Sequence, residues 1–198
     1  QCQNHRYKIR DFQYHYNYHK TNVLVGDVAV FVLDRKIDFP KDYDEKDRRI
    51  DFVFNNETFF EKSVDSSVTL YGWGTIADQK HSNEYWAPEH LMKIDGMSLL
   101  SQIKCIRLLF GATLNPHSNL DVNNLCLYYN VESSSENDFK IPRSGDSGGP
   151  VFVNRDQKEK TLVGLTSWST KNSNVVFLTN VAAVLDFVKL AASKLSET

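Results

Sequence analysis

The segment RSGDSGGPVFV, residues 143–153, sets a serine on a glycine-rich bend just ahead of an alternating apolar run. A serine hydroxyl is a poor nucleophile until a base takes its proton, so Ser147 becomes chemically useful only in the company of a histidine and a carboxylate. Gly145, Gly148 and Gly149 allow the backbone around it to bend with amides exposed, as two N–H groups must be to hold an oxyanion. The string GDSGGP is more specific than a lone G-x-S-x-G.

The chain of 198 residues suits one or two compact domains, and an apolar content of 41% is enough to bury a core. Lys and Arg number 23 against 25 Asp and Glu, which gives no electrostatic reason to expect nucleic acid or an anionic membrane. Small-molecule or protein partners are expected instead. No apolar run approaches the roughly 20 residues that span a bilayer, and residues 1–20 are polar and tyrosine-rich rather than signal-like. The absence of an initiator methionine suggests a processed chain or a fragment.

Three cysteines, Cys2, Cys105 and Cys126, leave one over if two pair, and their spacing alone does not choose the pair. No short C-x-x-C step with histidines at ligand spacing is present, so neither a metal nor another cofactor is expected. Asn56 begins an N-E-T glycosylation sequon, meaningful only in a chain that enters the secretory path; a chance match in a polar loop is the alternative.

The elements that must carry Ser147 and its partners are mainly strands. Residues 5–18 and 22–34 read as strands, and 35–66 as a charged surface connector. Strand character restarts at 66–76, a helix-compatible piece runs from about Ser98 to Phe110, and LDVNNLCLYY is another short strand. Residues 130–143 are a loop by composition. GPVFVN, TLVGLTSWS and NVVFLTNV follow as strands, and the chain closes on an amphipathic helix with Val184, Leu185, Val188 and Leu195 on one side.

GDSGGP resembles the active-site serine segment of the chymotrypsin/trypsin family of serine proteases. GDVAVFVL is similar to that family's aspartate segment, YGWG to the start of its second barrel, and LTSWS to the strand lining its substrate cleft, in the same order. The resemblance implies a mainly β, chymotrypsin-like double six-stranded antiparallel β-barrel with its first barrel incomplete and a C-terminal helix. On that reading residues 1–38 are the remainder of the N-terminal barrel, 39–65 the connector between barrels, 66–180 the C-terminal barrel and 181–198 the helix.

The implied roles are those of a secreted, extracellular endopeptidase. Ser147 attacks the scissile carbonyl, the amides of Gly145 and Ser147 hold the oxyanion, and Asp27 orients a histidine. Ser167 donates a hydrogen bond to Asp27, backbone groups of 167–169 pair with an extended substrate, and Asp146 accepts a new N-terminal ammonium after activation. Cys105 and Cys126 fall where the family places a disulfide.

The resemblance breaks at the base. The family's histidine sits on an A-A-H-C-like segment before the aspartate, and no such segment occurs here. Upstream of Asp27 stand His5, His15 and His19; HYNYH at 15–19 matches a surface strand end, so His15 is expected to be a surface residue. Downstream His81, His90 and His117 read as solvated loop residues. The histidine is therefore expected on an N-terminal segment or a separate chain; a competing alignment, with the glutamine of QC at 1–2 replacing it, leaves too few residues before Asp27 for two strands.

The substrate pocket departs too. Its lining is expected from Ile141, Ser144, Ser167, Trp168, Ser169 and Val176. Ile141 stands at the pocket base, where trypsin-like members carry aspartate, and Val176 and Ser169 replace glycines, which would confine the pocket to small side chains. Arg143 stands in for a bracing cysteine. These departures favour the alternative of a catalytically inactive homologue that binds or regulates another protein.

Overall fold

A computed structural model of the chain describes residues 6–18, 26–37, 51–52, 66–77, 85–101, 103–105, 107–108, 124–129, 141–156, 159–169 and 174–196. Cys2, His5, His19, Asn56, His81, His117 and most of the 39–65 connector lie outside them.

Alternating apolar residues build the main body. Strands β4 (Ser67–Gly72), β7 (Met92–Leu99), β8 (Asn124–Tyr129), β9 (Pro150–Asp156), β10 (Glu159–Ser169) and β11 (Val175–Asn180) pair antiparallel in the order β11-β8-β7-β4-β9-β10, and β10 pairs β11 to close the ring. This is a closed six-stranded barrel. Closure leaves none of its six strands with an exposed edge.

The period of two decides which side chains fill the barrel. Val176 and Leu178 of β11 point inward with Leu125, Leu127 and Tyr129 of β8, Val151 and Val153 of β9, Val163 of β10, Val68 and Leu70 of β4, and Met97 and Leu99 of β7. The intervening Val175 and Phe177 face the other way, onto Leu100, Cys105 and Cys126. Both faces of β11 are therefore buried, which is why NVVFLTNV is nearly continuous in apolar residues. Each fully buried Val, Leu or Phe contributes about 1.5–3 kcal/mol.

Ser98 and Leu99 differ from expectation. They belong to β7, opposite Tyr128 and Leu127, and the described helical residues are 103–105 and 107–108. Leu99 is 1% exposed inside the barrel, so pairing and burial override local helical periodicity there. The Cys105–Cys126 disulfide joins that helical segment to β8. Within the charged connector, β3 (Asp51–Phe52) adds to β10 in parallel, opposite Thr161 and Leu162. A short hairpin of β5 (Ile76–Ala77) and β6 (Tyr85–Trp86) stands apart from the barrel sheet.

The C-terminal helix, Val181–Ser196, follows β11 directly. Asn180 Oδ1 accepts the Ala182 amide at 3.1 Å and caps its first turn. Val181, Ala182, Val184, Leu185, Ala191 and Leu195 are buried beneath it, while Val188 is half-buried. Lys194 in the last turn suits the negative end of the helix dipole, and Arg10 donates to the Leu195 carbonyl at 3.0 Å.

Arg10 lies in β1 (Ile9–Tyr14), which pairs antiparallel with β2 (Ala29–Leu33) alone. Phe12 stands opposite Phe31 and Tyr14 opposite Ala29, and Ile9, Phe12, Tyr14 and Phe31 are each about half exposed. A two-stranded ribbon is marginal by itself in water. Contacts with the C-terminal helix hold this one against the body.

Candidate active site

Ser147 owes its placement to backbone that only glycine enters without strain. Gly145 (φ +100) and Gly148 (φ +79) flank it in the left-handed region. The Asp146 amide donates to Arg143 O at 3.0 Å and the Gly149 amide to Asp146 O at 2.9 Å, closing two tight turns. Gly148 N donates to Thr166 O at 2.7 Å and Thr166 N to Gly149 O at 2.9 Å, which ties the loop to β10. Ser147 is left exposed at the tip, and the amides of Gly145 and Ser147 have no acceptor among the described residues.

Asp146 turns inward and is 9% exposed. Its Oδ1 accepts Gly74 N at 2.7 Å and its Oδ2 accepts Arg143 N at 2.8 Å. These two backbone amides are its side-chain partners among the described residues.

Asp27 follows Gly26 (φ +70) at the entry to β2. Ser167 Oγ of β10 donates to its Oδ2 at 2.6 Å, and Thr179 Oγ1 of β11 donates to its backbone carbonyl at 2.9 Å. Asp27 is thus held from two strands of the barrel, its carboxylate by β10 and its backbone by β11. Thr179 carries no motif; its part is set by a contact across 152 residues of sequence that no local pattern reports.

Asp27 and Ser147 line one cavity of about 390 Å³, together with Tyr14, Tyr18, Val28, Ala29, Phe31, Gly148, Leu165 and Thr166. The aromatic wall of Tyr14, Tyr18 and Phe31 has no counterpart in the sequence reading, since it forms only when β1 folds against β2. Neither described histidine lines the cavity. His90 is exposed in a bend.

His15 corrects an expectation. It is 9% exposed, not a surface residue. Its ring stacks on Tyr16 at 4.3 Å and meets Phe187 of the C-terminal helix edge-on at 4.9 Å. Gly26 makes the packing possible, because a Cβ there would overlap the imidazole. Burial lowers the His15 pKa from its ordinary value, and Nδ1 accepts the Asn17 amide at 3.3 Å.

The residues expected to line the substrate pocket lie on the loop before Ser147, on β10 and on β11. Val176 is 1% exposed in the barrel core and Ile141 packs against the same cluster. Trp168 stacks on Phe177 with ring centroids 4.1 Å apart, and its buried Nε1 has no hydrogen-bond partner among the described residues. Ser144 and Ser169 are exposed, and Ser169 stands opposite Val176. None of these five, nor Ser167, lines the cavity beside Ser147.

No described helix is long and apolar enough to cross a membrane. No curated protein matches the chain. The family model described as trypsin matches residues 1–188, and with the closed antiparallel barrel, its C-terminal helix and the serine loop in place, the chain belongs to the trypsin family of serine proteases.

Proposed function

We propose that the chain is a trypsin-like serine endopeptidase domain that hydrolyses peptide bonds through an acyl-enzyme on Ser147. Ser147 Oγ attacks the scissile carbonyl while an imidazole takes its proton. The amides of Gly145 and Ser147 receive the oxyanion, and the imidazole then returns the proton to the departing amine. Asp27, held by Ser167, orients the imidazole N–H and stabilises the imidazolium.

The imidazole comes from a histidine outside the described residues, on an N-terminal segment or a chain joined to this one. The observation that carries this reading is the shared cavity: Asp27 and Ser147, far apart in sequence, line one space with aromatic walls and Asp27 braced by Ser167. The half-exposed apolar residues of β1 and β2 support a further segment covering that side. Secretion fits the Cys105–Cys126 disulfide, which persists in oxidising compartments.

A second reading, a binding or regulatory homologue without catalysis, is favoured by Ile141 and Val176 joining the core where a substrate side chain would enter.

Fluorophosphonate labelling of the native protein, with intact mass before and after reduction and N-terminal sequencing of every chain released, separates the two. An active endopeptidase takes the label on the Ser147 peptide, loses it in Ser147→Ala, and carries a histidine on a linked segment. A native protein that takes no label and cleaves no peptide pool is the binding homologue.

A further inference from the structure

His15 has no part in the reaction as drawn above, yet it touches the chain on both sides of Asp27. Its backbone N–H donates to Val28 O at 3.0 Å, one step beyond the last β1–β2 pair, Tyr14 with Ala29. Its ring fills the space against Gly26, where a Cβ would overlap Nδ1 and Cγ. Val28 N in turn donates to Gly26 O at 2.7 Å, closing a three-residue turn with Asp27 at its apex. His15 is itself held. Tyr18 N donates to its carbonyl at 3.0 Å and Asn17 N to its Nδ1 at 3.3 Å, and Phe187, in the second turn of the C-terminal helix, meets the imidazole edge-on at 4.9 Å.

We propose that His15 is a positioning residue for Asp27 and that Phe187 acts through it: the imidazole, backed by the helix, holds the turn 26–28 closed and so sets the Asp27 carboxylate beside the cavity. The inference rests on the endopeptidase reading for its effect on rate and on the contacts alone for the seating of the turn. Ser167 holds Oδ2 and Thr179 the Asp27 carbonyl, but neither holds Gly26 or Val28, through which the chain enters and leaves Asp27. His15 contacts both. Without its ring, Gly26 loses the side chain packed on it, and its backbone, permissive for want of a Cβ, lets the turn open. The carboxylate then shifts relative to Ser147, which sits on a separate loop tied to β10. A misplacement of about 1 Å is enough to cost about 10²-fold in rate. An extended substrate along β10 does not touch the turn, so its binding is spared.

His15→Ala and Phe187→Ala test this in the native protein with its linked segments, each made alone and again in Asp27→Ala. Each alone is expected to lower kcat about 10-fold or more with KM changed less than about threefold. In the Asp27→Ala background neither is expected to lower the residual rate further, because the carboxylate through which both act is gone. A merely structural role would lower Tm in both backgrounds and leave kcat alone. Amide exchange at residues 15 and 28 is expected to speed up about tenfold or more in each, with the barrel strands unchanged. Val68, fully buried in the barrel core, supplies the control: Val68→Ala removes packing away from the turn and is expected to leave kcat within about threefold.

Folded variants with unchanged kcat or unchanged exchange, losses that multiply in the Asp27→Ala background, or an equal loss of kcat in Val68→Ala overturn the proposal. If His15→Ala does not fold, Phe187→Ala decides, since it leaves the imidazole in place and removes its backing. If the native protein lacks endopeptidase activity, the reading in the previous section fails, and exchange at residues 15 and 28 still decides the seating of Asp27.

Discussion

Ser167 and Asp27, 140 residues apart in sequence, are joined by a 2.6 Å hydrogen bond from the serine hydroxyl to the carboxylate Oδ2. The bond links β10 of the barrel to the entry of β2, and Thr179 Oγ1 secures the same residue through its carbonyl. The two contacts respond differently to loss of the Asp27 side chain. Ser167→Ala is expected to cost about 1.5 kcal/mol, the low end for a bond to a charged acceptor, because the carboxylate is only half-buried. Combined with Asp27→Ala, it should add little further. Thr179→Val combined with Asp27→Ala should be additive, since its acceptor is backbone. Urea denaturation of the two double-mutant cycles checks both; coupling in the Thr179 cycle and none in the Ser167 cycle would contradict the arrangement.

What was legible in the sequence follows from the range of each interaction. Strands β9, β10 and β11 and the closing helix are visible because their apolar residues recur at periods of two and 3.6 over many positions. Ser147 is visible because its bend needs glycines at fixed offsets, and Gly145 and Gly148 do take positive φ. The strand end at Ser98 and Leu99 was hidden, because pairing with β8 outweighs a local preference that reads as helix. The burial of His15 was hidden as well. It depends on Phe187, in a helix at the far end of the chain, and on the missing side chain of Gly26. The Gly74–Asp146 contact leaves only the pattern Gly-Trp-Gly, which does not name its partner.

His15 makes stability depend on pH with a definite sign. Its folded-state pKa lies below the ordinary value of 6.5, because burial against Phe187 and Tyr16 disfavours the charged ring. Above that range both states are neutral at this residue and it contributes no pH dependence. As the pH falls through 6.5 the unfolded chain takes a proton that the folded one resists, so stability falls. Below the folded-state pKa the loss levels off. Tm measured between pH 8 and pH 5 should fall more steeply in the native protein than in His15→Gln; parallel curves would mean that the imidazole is not held neutral.

Gly26 and Gly148 share a positive φ, of 70° and 79°, yet their surroundings differ. A Cβ on Gly26 overlaps the His15 ring, whereas one on Gly148 meets nothing within 4 Å. Gly148→Ala is therefore expected to cost only the backbone term, about 1–2 kcal/mol. Gly26→Ala carries that term and also expels His15 from its place against the C-terminal helix, for a total of about 3 kcal/mol or more. Thermal or urea unfolding of the two variants gives the ranking directly. Equal costs would mean that the His15 packing contributes nothing.

Val176 tests whether the space a substrate side chain would enter is filled by the protein itself. It is 1% exposed, stands opposite Leu127 on β8 and Ser169 on β10, and shares its cluster with Ile141. A valine in that position behaves as core, so Val176→Ala should destabilise by about 2 kcal/mol or more; a valine lining an open cleft would cost well under half of that. The same variant vacates space in the cluster that Ile141 packs against. In a protein that cleaves peptides, preference should then move from small side chains toward larger apolar ones by about 10-fold or more in kcat/KM, the range set by one or two methylenes. Large destabilisation with no change in preference would separate the Val176 site from the path of the substrate, and the cavity walled by Tyr14, Tyr18 and Phe31 would remain as the space beside Ser147 where side-chain selection occurs.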